Sequence, residues 1–219
     1  MNGFSDREEA GRQLAAQLQS YKTSHPIVLA LVRGGVPVGR EVARALSADF
    51  DVWVVRKLGV PWHPELGVGA VSEGGYVHLT EDILRHVGLT RDALEELVDS
   101  KQREVEDRVR RFRGSRRPPA LRGRNIILVD DGIATGGTVR AAIRSVRAQA
   151  PKEIILAVPV AAAETVAALS TEVDRVVCLL TPAYLHAIGL WYRDFRQVTD
   201  EEVQKLLGEA RPPRPDAVR

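Results

Sequence analysis

Two adjacent carboxylates, Asp130 and Asp131, close the apolar run Ile126-Ile127-Leu128-Val129. The loop Gly132-Ile133-Ala134-Thr135-Gly136-Gly137-Thr138 follows at once, and apolar spacing of the helical kind begins after it. Carboxylates at the end of a buried strand are costly unless they are partnered. Vicinal hydroxyls are suitable partners, because each can donate to a carboxylate. A magnesium ion, directly or through its waters, is another. The loop suits a phosphate dianion: backbone amides at a helix start supply donors, and glycine lets that backbone approach closely. The hydroxyls of Thr135 and Thr138 can add donors. A tight turn with capping threonines would explain the loop alone, and a helix cap would explain one acid. Acids and loop in register point to a ligand with both hydroxyls and a phosphate.

Two other polar groups follow apolar runs. Arg33-Gly34-Gly35 comes after Ile27 to Val32, and Arg56-Lys57 comes after a short strand expected over 51–55. Arginine grips a polyanion with a planar fork and lysine offers a compact charge. The backbone at Gly34 and Gly35 can come close to such a ligand. The plainer alternatives are a surface arginine, a simple turn and, for Arg56, a structural ion pair.

The segment Ile126 to Thr138 resembles the phosphoribosyl pyrophosphate (PRPP) motif of type I phosphoribosyltransferases: four apolar residues, two acids and a loop ending Thr-Gly-Gly-Thr. The resemblance covers roughly Ile27 to Leu180. It implies that Asp130 and Asp131 hold the ribose hydroxyls and Ala134, Thr135, Gly136, Gly137 and Thr138 the 5-phosphate. Arg33, Gly34 and Gly35 resemble the family's pyrophosphate loop. Arg56 and Lys57 resemble the Arg-Lys pair of adenine phosphoribosyltransferases. On this reading Lys57, Asp130 and Asp131 are the catalytic candidates. Mg2+ is the implied cofactor, held mainly by PRPP and water, with the two acids in its outer shell and no direct protein ligand. The partners implied are PRPP and a small nitrogenous acceptor, and homodimers are common among relatives. Enzymes for 6-oxopurines carry an acid where this chain has Ala134, so the motif is nearer to the adenine and uracil types. The acceptor hood would draw on Trp191, Tyr192 and Phe195, whose rings could stack on a flat base or close the core. Glu65 and Glu73 are the carboxylates available on the flap, and solvated loop charges are the simpler reading of both. His63 and His78 flank the same segment.

Elements that could position these groups follow from hydrophobic spacing. Ile27 to Val32 does not alternate, which suits a strand covered on both faces of a parallel sheet. Ile154 to Val160 and Arg175 to Leu180 read as further strands. Helices are expected from a Ser5/Glu8 capping box to about Ser20, from Pro37 to Leu46, over 139–148, near 162–169, and from Thr199 to about Leu207. Alternating strands and helices imply an α/β fold, a parallel sheet with helices on both faces, and ligands there bind outside the carboxyl ends of the strands. The expected organisation is one phosphoribosyltransferase domain over 1–210. It has a Gly- and Pro-rich flap at about 58–78 turning at Gly74-Gly75, a helical insertion at about 80–114 capped by Thr80 and Thr90, and a hood at about 182–198 with an N-terminal contribution. Residues 211–219 read as a disordered tail.

Composition narrows the remaining classes. Across 219 residues, 44% hydrophobic and 27% charged content is ordinary for a globular protein, and a net charge of +2 argues for neither nucleic acid nor an anionic membrane. Basic residues between Lys101 and Arg117 alternate with Glu104, Glu106 and Asp107, the pattern of a solvated helix face. A regulator that binds PRPP or a nucleotide and contacts nucleic acid through 101–117 is the rival reading. A phosphate-sugar hydrolase is a third. No apolar run approaches the roughly 20 residues of a membrane span. Residues 1–9 lack the apolar core of a secretory leader. The cytoplasm is the simplest location. The single cysteine, Cys178, sits in an apolar run and reads as an inert buried thiol. No lysine precedes Thr138, which separates the loop from nucleotide triphosphatase P-loops.

Overall fold

A computed structural model describes residues 3–114 and 116–210, the side chains of 64 and 65 excepted. Five segments form one parallel sheet: β1 (Ile27–Leu31), β2 (Asp49–Trp53), β6 (Asn125–Val129), β7 (Glu153–Val160) and β8 (Arg175–Leu180), in the order β2-β1-β6-β7-β8. β1 and β6 are buried along their whole length because helices cover both faces. Val28, Ala30, Ile127 and Val129 join the core beneath α1 (Arg7–Gln17), α2 (Gly35–Leu46) and α7 (Asp200–Gly208). Their neighbours Ile27, Leu29, Ile126 and Leu128 point to the other face, under α5 (Gly137–Arg147) and α6 (Ala163–Leu169). This is the α/β architecture expected. Among the described residues no helix is long and apolar enough to cross a membrane.

The segment assigned to a flap folds as a separate antiparallel sheet of β3 (Val55–Val60), β4 (His63–Ser72) and β5 (Tyr76–Leu79). Gly74 and Gly75, both at positive φ, make the β4–β5 turn. Helices α3 (Glu81–Val87) and α4 (Arg91–Arg113) follow. The expected strand over 51–55 needs correction: β2 ends at Trp53 and β3 begins at Val55, so Arg56 and Lys57 lie inside β3 and not at a carboxyl end of the parallel sheet. Buried Leu58 and Val60 continue the apolar pattern past the two cations and draw them into the second sheet.

Local chemistry shifts two caps. Asp6, one residue after Ser5, caps α1 by accepting from Glu9 N at 2.7 Å, and the Glu9 carboxylate reaches back to Ser5. Thr80 stands at the start of α3 but makes no capping hydrogen bond, whereas Thr90 and Thr199 both cap as their spacing predicts.

The basic segment and the flap acids also differ from expectation. Arg113 is not on a solvated face. Its guanidinium is buried and donates to Asp51 Oδ2 at 3.0 Å, to Val52 O at 3.0 Å and to both Glu73 oxygens. Glu73 is therefore a buried ion-pair partner, not a loop charge. The side chain of Glu65 and the tail 211–219 lie outside the described residues. Cys178 is half-buried, its thiol pushed up by burial.

Candidate functional site

The chain leaves β1 toward β2 on one side and leaves β6 toward β7 on the other, so a crevice opens between the carboxyl ends of β1 and β6. Such a switch point is where open α/β sheets bind ligands. A cleft of about 700 Å³ lies there, lined by Asp130 to Arg140, by Lys57, Gly67, Gly69 and His78 of the flap sheet, and by Thr80, Ile83, Arg144 and Ile188. Lys57, both acids and the whole loop Ala134 to Thr138 thus share one cavity.

Gly136 at φ +78° turns the loop into α5, a conformation that L side chains rarely adopt. The first amides of α5 have no partner within the helix and are available to an anion. Ala134, Thr135, Gly137 and Thr138 are exposed to the cleft. From α6, Thr165 Oγ1 donates to Ala134 O at 2.7 Å.

The acids differ. Asp131 is buried and its Oδ2 accepts from Arg7 Nε of α1 at 2.8 Å, while its main-chain O accepts from the Tyr192 hydroxyl at 2.6 Å. Asp130 is only partly buried, and its Oδ1 accepts from Asp131 N at 2.9 Å. Burial, reinforced by the Asp131 carboxylate alongside, pushes the Asp130 carboxyl well above the usual carboxylate range. Burial also raises Asp131, with Arg7 opposing it. The Tyr192 phenol is pushed up by burial and the neighbouring acid, so it stays protonated and donates.

Gly34 and Gly35 abut the acids from the β1 side. A Cβ at Gly34 would stand 2.1 Å from Asp131 Oδ2, and one at Gly35 2.7 Å from Val129 O. The other cations of the sequence reading point elsewhere. Arg33 Nη1 lies 3.4 Å from Asp200 Oδ1 at the start of α7, and Arg33 does not line the cleft. Arg56 donates to Glu104 Oε2 of α4 at 2.9 Å and is likewise outside it. Arg56 is thus an ion-pair residue between flap sheet and helix. The hood rings also turn away from the cleft, where Ile188 is the residue contributed by that segment. Tyr192 is buried, tilts against Phe4 at 5.4 Å and stacks on Phe195 at 5.0 Å. The N-terminal strand-like bridge Phe4–Tyr192 ties the chain start to this segment. The rings of Tyr192 and Phe195 pack into a small core and do not line the cleft.

Three residues of the site were not anticipated. Arg140 sits one turn into α5, donating to Glu172 Oε1 at 2.7 Å and facing Thr135 O at 3.5 Å. Arg144, one turn further, places Nη1 2.6 Å from His78 Nδ1, and burial together with that guanidinium lowers the His78 pKa. Their i, i+4 spacing directly after the loop was a legible signal. Arg7 carried none, because its contact with Asp131 spans 124 residues of sequence.

Comparison with known proteins agrees with this geometry. The family model of the phosphoribosyl transferase domain matches residues 5–190. Two curated relatives from Mycobacterium tuberculosis, strains CDC 1551 and H37Rv, are provisionally named phosphoribosyl transferases. Each is 45% identical over 210 residues, covering 96% of this chain and 47% of the relative. The chain therefore spans a little under half the length of these relatives. A crystal structure of TT1426 from Thermus thermophilus is similar over 95% of this chain and 99% of that one, with 41% identity and a TM-score of 0.83. Together with the acids and loop at the β6 switch point, these matches show that the chain belongs to the phosphoribosyl transferase domain family.

Proposed function

We propose that the protein transfers the 5-phosphoribosyl group of PRPP to a nitrogen nucleophile, with release of pyrophosphate. The observation that carries this reading is the single cleft that brings the acids, the helix-start loop and Lys57 together. The amides and hydroxyls of Ala134 to Thr138 would hold the 5-phosphate, with Arg140 alongside. The acids at the end of β6 would receive the ribose hydroxyls. Lys57 and the backbone of Gly34-Gly35 would receive the pyrophosphate. A bond forms between the acceptor nitrogen and the anomeric carbon as the bond from that carbon to pyrophosphate breaks, its electron pair leaving with the pyrophosphate. The acceptor's N–H proton is given up to water. The chain's residues act by positioning and by facing charge where it develops.

Among the described residues no three His, Cys, Asp or Glu side chains converge as a metal cage. Magnesium usually keeps several waters and binds substrate phosphates, and Asp130 and Asp131 at the cleft wall would meet those waters from its outer shell. Bound in this way it would neutralise pyrophosphate oxygens. Ala134 leaves the loop without an acid, which favours an acceptor other than a 6-oxopurine.

The regulatory alternative draws little support from α4. Lys101 pairs with Glu104, Arg110 with Asp107, Arg111 with Asp200, and Arg113 is buried. Incubation with PRPP, Mg2+ and a panel of bases, with pyrophosphate as readout, tests the reading. Release that depends on one base supports transfer. Release without any base supports a hydrolase, and tight binding without turnover supports the regulator.

A further inference from the structure

Asp130 and Asp131 are neighbours in sequence, but the fold gives them different surroundings. Asp131 Oδ2 is held by Arg7 Nε at 2.8 Å, with the two side chains only 12% and 10% exposed. Arg7 cannot swing away without losing other contacts. Its Nη1 donates to Arg196 O at 2.8 Å, and its guanidinium lies 3.9 Å from the Phe195 ring centre. The same acid holds the Tyr192 hydroxyl through its main-chain oxygen. On the opposite side, the backbone at Gly34 leaves no room beside Oδ2. One carboxylate oxygen is thus enclosed by helix α1 and the β1 loop. Both acids line the cleft, and Asp130 is the more exposed of the two.

We propose that the two acids of the motif have unequal jobs. Asp131 is the anchor through which Arg7 fastens α1 and the 188–196 hood to the end of β6. Asp130 carries most of the contact with the ribose hydroxyls or the substrate's cation. Arg7 is a positioning residue of the substrate site, and it has a second effect. Two bare carboxylates would repel a polyanionic substrate, and the Arg7 guanidinium at Asp131 offsets that repulsion. The identity of the ligand rests on the phosphoribosyl reading; the inequality of the acids does not.

The full chain and its variants Asp130→Asn, Asp131→Asn, Arg7→Gln and Arg7→Lys separate the two. Calorimetry with Mg-PRPP and hydrogen exchange over residues 188–196 are measured on each. Asp130→Asn should lose about 100-fold or more in affinity with hood exchange unchanged, about what removing hydrogen bonds to a charged group costs. Asp131→Asn and Arg7→Gln should each lose less than about 10-fold in affinity, speed hood exchange, and be no worse combined than singly. Arg7→Lys, which keeps the charge, should recover part of both. Equal affinity losses for the two acids, or hood exchange that ignores Arg7 and Asp131, overturn the proposal. A wild-type chain that does not bind Mg-PRPP overturns the functional reading instead, and the exchange measurements still decide the anchor.

Discussion

Arg113→Met tests how the flap sheet is held to the parallel sheet. Arg113 ends α4 and faces two carboxylates, Asp51 of β2 and Glu73 just beyond β4, with side-chain exposures of 2%, 1% and 8%. Methionine fills similar volume but leaves both acids buried without their cation. Breaking a buried pair by removing one partner costs about 3–5 kcal/mol. In a domain of this size that corresponds to a fall in Tm on the order of 10 °C. The pH dependence has a definite sign. Burial already raises both carboxyls above their ordinary values, with Arg113 pulling them down. An acid whose pKa is raised on folding contributes stability that is fully present below its unfolded pKa and is lost as pH rises through its folded pKa. Without Arg113 the folded values climb further and the window widens upward. Urea unfolding of the variant should therefore show the full loss near neutral pH and a clear recovery at about pH 5, relative to wild type. Adding Asp51→Asn and Glu73→Gln to Arg113→Met should recover much of the loss near neutrality. A loss below about 1 kcal/mol at neutral pH, or one that grows on acidification, would refute the reasoning.

Three further outcomes are expected. Gly136→Ala forces a side chain into the left-handed region, so stability should fall by about 1–2 kcal/mol and Mg-PRPP affinity with it; an unchanged thermal melt and titration would count against the loop assignment. Arg56→Ala removes a half-exposed pair with Glu104, so stability should change by about 0–1 kcal/mol and affinity by less than about 3-fold; a tenfold loss of affinity would return Arg56 to the substrate. Arg140→Ala should weaken Mg-PRPP binding by about 10-fold, the size of one hydrogen bond to a charged group, whereas Glu172→Gln, which releases Arg140, should leave binding equal or tighter in the same titration.

The parallel sheet was legible because β1, β6, β7 and β8 are largely apolar runs, and the site's main loop because acids and glycines stand in register after one of them. Contacts between distant segments were not legible. Arg56 and Lys57 looked like the end of a strand since Val52 to Val55 is apolar, but the break at Val54 between the two sheets has no residue marking it. Arg113 and Glu73 looked solvated because local charge balance could not reveal that each finds its partner across 40 residues. The rings at 191–195 were correctly seen as a cluster, but their direction depends on Phe4 and Arg7 at the other end of the chain.

The hydroxyl that Thr165 gives to Ala134 O also bears on how the cleft meets its ligand. A loop tied at its carbonyl by a neighbouring helix has already surrendered conformational entropy during folding. A phosphate arriving there need not order the backbone it binds, so a larger share of its hydrogen-bond energy is left as affinity. On the proposed reading, any rearrangement on binding would fall to the flap sheet across the cleft, which would separate capture of the phosphate from closure over the reacting carbon.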